Sequence, residues 1–170
     1  MRPRLSRVLL MYLLGIAVGC ADSSDRPSDE DVKRTFEANE EALAAVVQLC
    51  DGSPAIQAVR RAPRDTTYVR GYSPEPADEE VASRIWEVLE GLELKSVSCN
   101  RDHRIPKAPL ATVNFSVYTR GLSVSGEAKG ILYVTEAARR RAADEHQQML
   151  ASGELLPLPR QGWFIYFWQS

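Results

Sequence analysis

The chain has 170 residues, 44% of them hydrophobic and 26% charged, with 21 basic and 23 acidic side chains. Those proportions exclude a disordered or collagen-like polymer and fit a globular domain. A formal net charge of −2 excludes nucleic-acid binding driven by bulk positive charge.

The N-terminus carries the sharpest motif. Arg2, Arg4 and Arg7 form a basic start, and Val8 to Val18 follow as an apolar run closed by Gly19-Cys20, with Asp22 and Asp25 soon after. This is the layout of a secretory signal peptide, and it is too short for a spanning helix, which needs about 20 apolar residues. Ile16-Ala17-Val18-Gly19-Cys20 resembles the lipobox of bacterial lipoproteins, in which the cysteine becomes the lipidated new N-terminus. It departs from that pattern at Ala17, where the family usually has leucine. The resemblance implies removal of residues 1–19, lipid on Cys20, and a periplasm-facing protein held in the cell envelope. Ala21 is not the aspartate that retains such proteins at the inner membrane of enteric-type bacteria, so an outer-membrane location is implied for a Gram-negative host. The other reading of the same residues is an ordinary cleaved signal, or a short uncleaved anchor, with an incidental cysteine. Without Arg2, Arg4 and Arg7 the remainder has 18 basic and 23 acidic side chains, a net charge of −5.

Residues 20–28 read as the lipidated cysteine and a polar linker containing Pro27. Residues 29–170 read as one globular domain. Ser28 is a plausible N-cap, with Asp29, Glu30 and Asp31 in a first turn where the helix dipole favours acids. Val32, Phe36, Leu43, Val46, Val47 and Cys50 then follow at helical spacing, interrupted by Asn39, and Asp51-Gly52 and Pro54 end the helix. Cys50 falls on the buried stripe. With Cys20 assigned to lipid, Cys50 and Cys99 form an even pair in an oxidising compartment and are expected to be bonded to each other.

Ala55 to Tyr72 reads as two short strands around Ala62-Pro63-Arg64-Asp65, and residues 72–76 as a loop. Asp78, Glu79 and Glu80 open a second helix whose Val81, Ile85, Val88, Leu89 and Leu92 share a face, with Trp86 at its border and Gly91 breaking it. Leu94 to Cys99 continues as a strand. Val113, Phe115 and Val117 alternate with Thr112, Asn114, Ser116 and Tyr118, the pattern of a sheet with one wet face. A turn near Arg120-Gly121 leads into a strand from Gly126 to Thr135, making a hairpin. Glu136 to Ala151 is alanine-rich and predicts a surface helix ended at Gly153, its Arg139-Arg140-Arg141 run on a solvated face. Trp163 to Trp168 is apolar on both faces and fits a central or fully covered strand. This order predicts an α+β fold, with helices packed on one face of an antiparallel sheet of about four to six strands.

Motifs for chemistry are few. His103 and His146 are the two histidines, and Cys99 with His103 supplies too few ligands for a zinc site. Gly121-Leu122-Ser123-Val124-Ser125-Gly126 lacks the spacing of a hydrolase elbow, and no Gly-Lys-Ser/Thr follows to make a phosphate loop. No catalytic residue, metal or cofactor is therefore assigned. Trp163, Tyr166 and Trp168 are candidate interface residues, because such aromatics anchor interfaces; the competing reading makes them core. Lys129-Gly130 before Tyr133, with Gly162-Trp163-Phe164-Ile165-Tyr166, is faintly similar to uncharacterised small lipoproteins, a resemblance that implies no activity. The first expectation is a non-enzymatic protein-interaction module tethered to the membrane by its N-terminal lipid, with another envelope protein as partner and no nucleic acid. A lipid or small-molecule carrier, which requires a cavity between sheet and helices, comes next. An immunity-type inhibitor of an incoming toxin is a variant of the first. An envelope hydrolase built from Asp102, His103 and Ser123 comes last.

Overall fold

The computed structural model describes residues 26–101, 108–122 and 125–169. The signal segment, Cys20, Asp102, His103 and Ser123 lie outside the described residues. Helix α1 spans Asp29–Gly52 and starts where the cap predicts. The Ser28 hydroxyl accepts from the Asp31 amide at 3.1 Å, and the Asp31 carboxylate accepts from the Ser28 amide at 3.0 Å. Each group thus satisfies a donor that the helix leaves open. The Ser28 hydrogen bonds hold the Asp31 carboxyl below its ordinary value. The interruption at Asn39 is a kink: its backbone leaves helical geometry (φ −134°, ψ 19°), and its side chain donates to the Thr35 carbonyl at 2.9 Å. A side-chain amide competing for the backbone is a known cause of such bends.

Two short strands, β1 (Ile56–Arg60) and β2 (Asp65–Tyr68), form the weak hairpin. Helix α2 (Pro76–Gly91) follows, with Pro76 in its first turn, where no amide hydrogen is missed. Strands β3 (Ser96–Arg101), β4 (Leu110–Leu122) and β5 (Ser125–Val134) come next. The single expected helix is two: α3 (Glu136–Arg141) and α4 (Ala143–Ser152), separated at Ala142 (φ −115°, ψ 40°). Gly153 closes α4 in the left-handed region (φ 77°), as a C-terminal glycine does. Strands β6 (Leu155–Pro157) and β7 (Trp163–Gln169) end the chain.

The fold is α+β. All seven strands join one antiparallel sheet in the order β2-β1-β3-β4-β5-β7-β6. The expected four to six strands become seven because β6 has three residues, too few to show a period of two. Helices α1 and α2 share one face, as expected. Their apolar stripes bury Phe36, Leu43, Val46, Ile85 and Leu89 against Val97, Val113, Phe115, Ile131 and Ile165 of the sheet. The short α3 and α4 lie on the opposite face, where Ala138, Met149 and Leu150 pack against Val134, Leu155 and Phe164. Helices therefore cover parts of both faces, because β7 is apolar on both.

Trp163 is the hub of the main core. It is 2% exposed, with the rings of Phe36, Tyr133 and Phe115 at 5.2, 5.0 and 5.9 Å from its own. At the other end of α1, Cys50 is disulfide-bonded to Cys99 of β3, with their Cα atoms 5.6 Å apart. The Arg101 guanidinium, two residues along β3, donates to the Cys50 carbonyl. It thereby caps a helix whose own last turn holds no basic residue. Partial burial holds the Arg101 guanidinium below its ordinary value.

Two stability effects follow. The Cys50–Cys99 bridge closes a loop of 49 residues, worth about 4 kcal/mol in the chain-entropy account. Cys50→Ser with Cys99→Ser is expected to lower unfolding free energy by ~2–5 kcal/mol in denaturant titration. Ser28→Ala is expected to cost ~1 kcal/mol at neutral pH. Asp31 has a folded-state value below its unfolded one, so its contribution is present above the ordinary carboxylate range and is lost as pH falls through the folded value. Melting curves between about pH 6 and pH 2.5 should show the gap between wild type and Asp31→Asn closing on the acid side.

Candidate functional site

Strand parity builds the site. Along β7, Trp163 and Ile165 face α1, so Phe164, Tyr166 and Trp168 face the other way. Along β5, Ile131 and Tyr133 pack in the main core, while Leu132 and Val134 point to the opposite side with Ala128 and Gly130. On that second face β4 contributes Thr112, Asn114 and Ser116, a polar row next to an apolar one. Helices α3 and α4 lie over the apolar part and bury no residue completely.

Between sheet and helices runs a cleft of about 950 Å³. Its floor includes Leu132, Val134, Leu155 and Tyr166, and its roof Ala138, Ala142, His146 and Met149. It extends from Val134, at the root of α3, to Trp168 and Gln169 at the end of β7. Small side chains create the hollow: Ala128 below, Ala138 and Ala142 above. Gly130, next to Ala128 on the same face of β5, is glycine for a different reason. A Cβ there would stand 2.0 Å from the Phe115 carbonyl oxygen and 3.0 Å from the Tyr166 ring. Tyr166 thus lies across the bare backbone of its cross-strand partner, an aromatic covering a strand glycine.

The polar side chains of the cleft include Asn114, Arg139, His146 and Tyr166. His146 sets its ring edge-on to Phe164 at 4.7 Å. Burial, helped by the nearby Arg139 charge, holds its pKa below the ordinary imidazole value. Burial raises the Tyr166 hydroxyl above its usual range, with the Ser116 hydroxyl opposing the rise. Among the described residues, the Asn114 side-chain oxygen and Arg139 Nε, both of residues that line the cleft, are buried and have no hydrogen-bond partner. Unpaired buried polar atoms are uncommon, because each forfeits hydration. Glu145 and Glu154 stand exposed at the rim.

The three candidate interface residues do not form one surface. Trp163 is core, on the α1 side, because odd and even positions of β7 face opposite ways. Tyr166 forms part of the cleft floor and Trp168 its outer end, where it is 51% exposed. Asn114, Arg139, His146 and Met149 join them in the cleft and were not singled out by the sequence pattern. The signal available was the run of small residues at alternate β5 positions, Gly126, Ala128 and Gly130, paired with an aromatic strand. Arg139 also leaves the expected solvated arginine face: Arg140 stays in water beside Glu136, while Arg139 turns to the cleft. Among the described residues no group of three or more His, Cys, Asp or Glu side chains could hold a metal ion. No helix among them is long and apolar enough to cross a membrane.

No protein-family model, curated protein or solved structure matches this chain.

Replacing Gly130 by alanine forces backbone and Tyr166 apart. The expected result is a loss of at least ~1–3 kcal/mol in thermal or denaturant unfolding, the usual range for overpacking. Gly52, with open space around its Cα, is the control and should change little by comparison.

Proposed function

We propose that this protein is a lipoprotein of the cell envelope, tethered through lipid on Cys20 and facing the periplasm, whose globular domain binds an apolar or amphipathic small molecule without transforming it. The observation that carries the binding reading is the cleft beneath α3 and α4. Its volume of about 950 Å³ lies at the upper end of the ~300–1,000 Å³ in which proteins bury small ligands. Its lining is mostly apolar, with Thr112 and Asn114 on the sheet and Arg139 and His146 on the helices as polar groups, a composition that suits a small-molecule site. The cleft moves the carrier ahead of the protein-interaction module. Of the three aromatics that could have served that module as an interface, Trp163 is occupied in the core. A short segment of another envelope protein remains the second reading, favoured by the exposure of Trp168 at the cleft's end.

A neutral apolar dye whose emission rises on leaving water, N-phenyl-1-naphthylamine, tests the carrier. The folded protein is expected to bind it saturably. Ala142→Trp in the roof and Ala128→Phe in the floor should each weaken binding about tenfold or more by filling the space, with little change in melting temperature. Absence of saturable binding, or equal binding by both filled variants, would overturn the reading. A cross-linked pull-down from the native envelope that returned one stoichiometric protein, lost in Ala128→Phe, would move the assignment to the peptide-binding alternative.

A further inference from the structure

The described chain begins at one particular end of the sheet. The Arg26 guanidinium lies 4.7 Å over the Phe167 ring. The next carbonyl, of Pro27, accepts from Lys129 Nζ at 2.8 Å, and the same nitrogen pairs with Asp29 at 2.6 Å. Lys129 is itself 5% exposed and is the cross-strand partner of Phe167. These contacts fasten the start of the domain to the Lys129–Phe167 end of β5 and β7. Trp168 is the next residue, on the opposite face of the same end. Among the described residues, Trp168 and Tyr72 are the exposed large hydrophobic side chains. Tyr72 lies beside α2, towards the far edge of the sheet, and donates its hydroxyl to Asp78 at 2.7 Å. The indole of Trp168 has no such partner among the described residues.

We propose that this end of the sheet is the pole of the domain that faces the bilayer, with Trp168 seated at the lipid–water interface and the adjoining end of the cleft opening towards lipid. The proposal rests on lipid attachment at Cys20, as proposed above. The argument is one of reach. Six peptide steps separate Cys20 from Arg26, and fully extended they span at most about 20 Å. A domain held so closely, with Arg26 and Pro27 fixed at the Lys129–Phe167 end, presents that end to the membrane. Tryptophan is suited to the position, because its apolar ring and polar N–H favour the interfacial layer. The attraction is apolar rather than ionic. Charges of both signs border this end: Glu127 stands opposite Gln169 on one side and Arg120 on the other, Glu154 accepts through its carbonyl from the Phe167 amide, and Arg26 lies over the Phe167 ring. A zwitterionic bilayer is accordingly the proper probe. A cleft ending there would exchange an apolar ligand with lipid without carrying it through water.

The experiment uses the full acylated protein, purified from bacterial membranes and reconstituted in phosphatidylcholine vesicles with or without brominated acyl chains. Flotation with the vesicles, lost in Cys20→Ala, establishes the tether. Tryptophan emission is then compared between the two kinds of vesicle. The expected result is quenching by the brominated lipid in the wild type and its loss in Trp168→Phe, with Trp86 and Trp163 unaffected. A protein that floats but is not quenched, or whose quenching survives in Trp168→Phe, would overturn the orientation while leaving the tether standing. A protein that fails to float would overturn both.

Discussion

Strand β7 imposes the condition that the rest of the domain meets. Trp163 and Ile165 on one side, and Phe164 and Tyr166 on the other, give it two apolar faces, and a strand of that kind is stable only where both are covered. It therefore sits between β5 and β6 rather than at the margin of the sheet. The Trp163 side is covered by α1, whose Phe36 closes an aromatic cluster with Phe115 and Tyr133. The Phe164 side needs a second layer, supplied by the chain between β5 and β6. That requirement is why a sheet with a polar second face over β3 and β4 carries a helical cover over β5 and β7.

The two layers are not equivalent. On the first face α1 is fastened at both ends. Lys129, drawn out of water beneath α1, has its charge met by Asp29 and the Pro27 carbonyl, and the disulfide and Arg101 hold the far end. A buried cation is costly without such partners, so the Lys129 pairing selects one position for the N-terminus of α1. On the second face α3 and α4 bring no fully buried residue and no covalent link. Their hold is Met149, Leu150, Ala138 and the His146–Phe164 ring contact. Regions with few buried apolar contacts belong to the low-stability end of a domain, which is where ligand-admitting elements are found.

Much of the first layer was legible in the sequence because its residues obey their periods. The α1 stripe, the Ser28 cap, the interruption at Asn39 and the alternation of Val113 and Phe115 each have a local cause that the fold leaves intact. Cys50 on the buried stripe opposite a strand cysteine also made the disulfide readable. The second layer was harder to read. Strand β6 is shorter than any period, and the break at Ala142 occurs within an alanine-rich run whose local propensity favours continuing. The cleft was hidden for a related reason: it is made by side chains that are missing. Ala128, Ala138 and Ala142 give little hydrophobic signal, and the space between them exists only once two elements distant in sequence are stacked. For Trp163, Tyr166 and Trp168 composition marked a candidate region, but the parity of β7 had to be combined with its neighbours before core and cleft separated.

The emptiness of the cleft is itself informative. A second face covered for stability alone would be filled, since larger side chains at Ala138 or Ala142 would bury more apolar area and vacant volume forfeits dispersion contacts. Underpacking runs against the local consistency of caps, alternation and the Lys129 pairing; unpaired buried polar atoms do not separate the two faces, since Trp86 Nε1 and Arg101 Nη1 on the first also lack partners among the described residues. Sites at which a sequence departs from its own packing rules are where function is expected to reside. The first layer, by contrast, is filled to contact around Trp163. The disparity between the two faces of one sheet, more than the size of the cleft, is the reason to regard the second face as a binding surface held in place by the first.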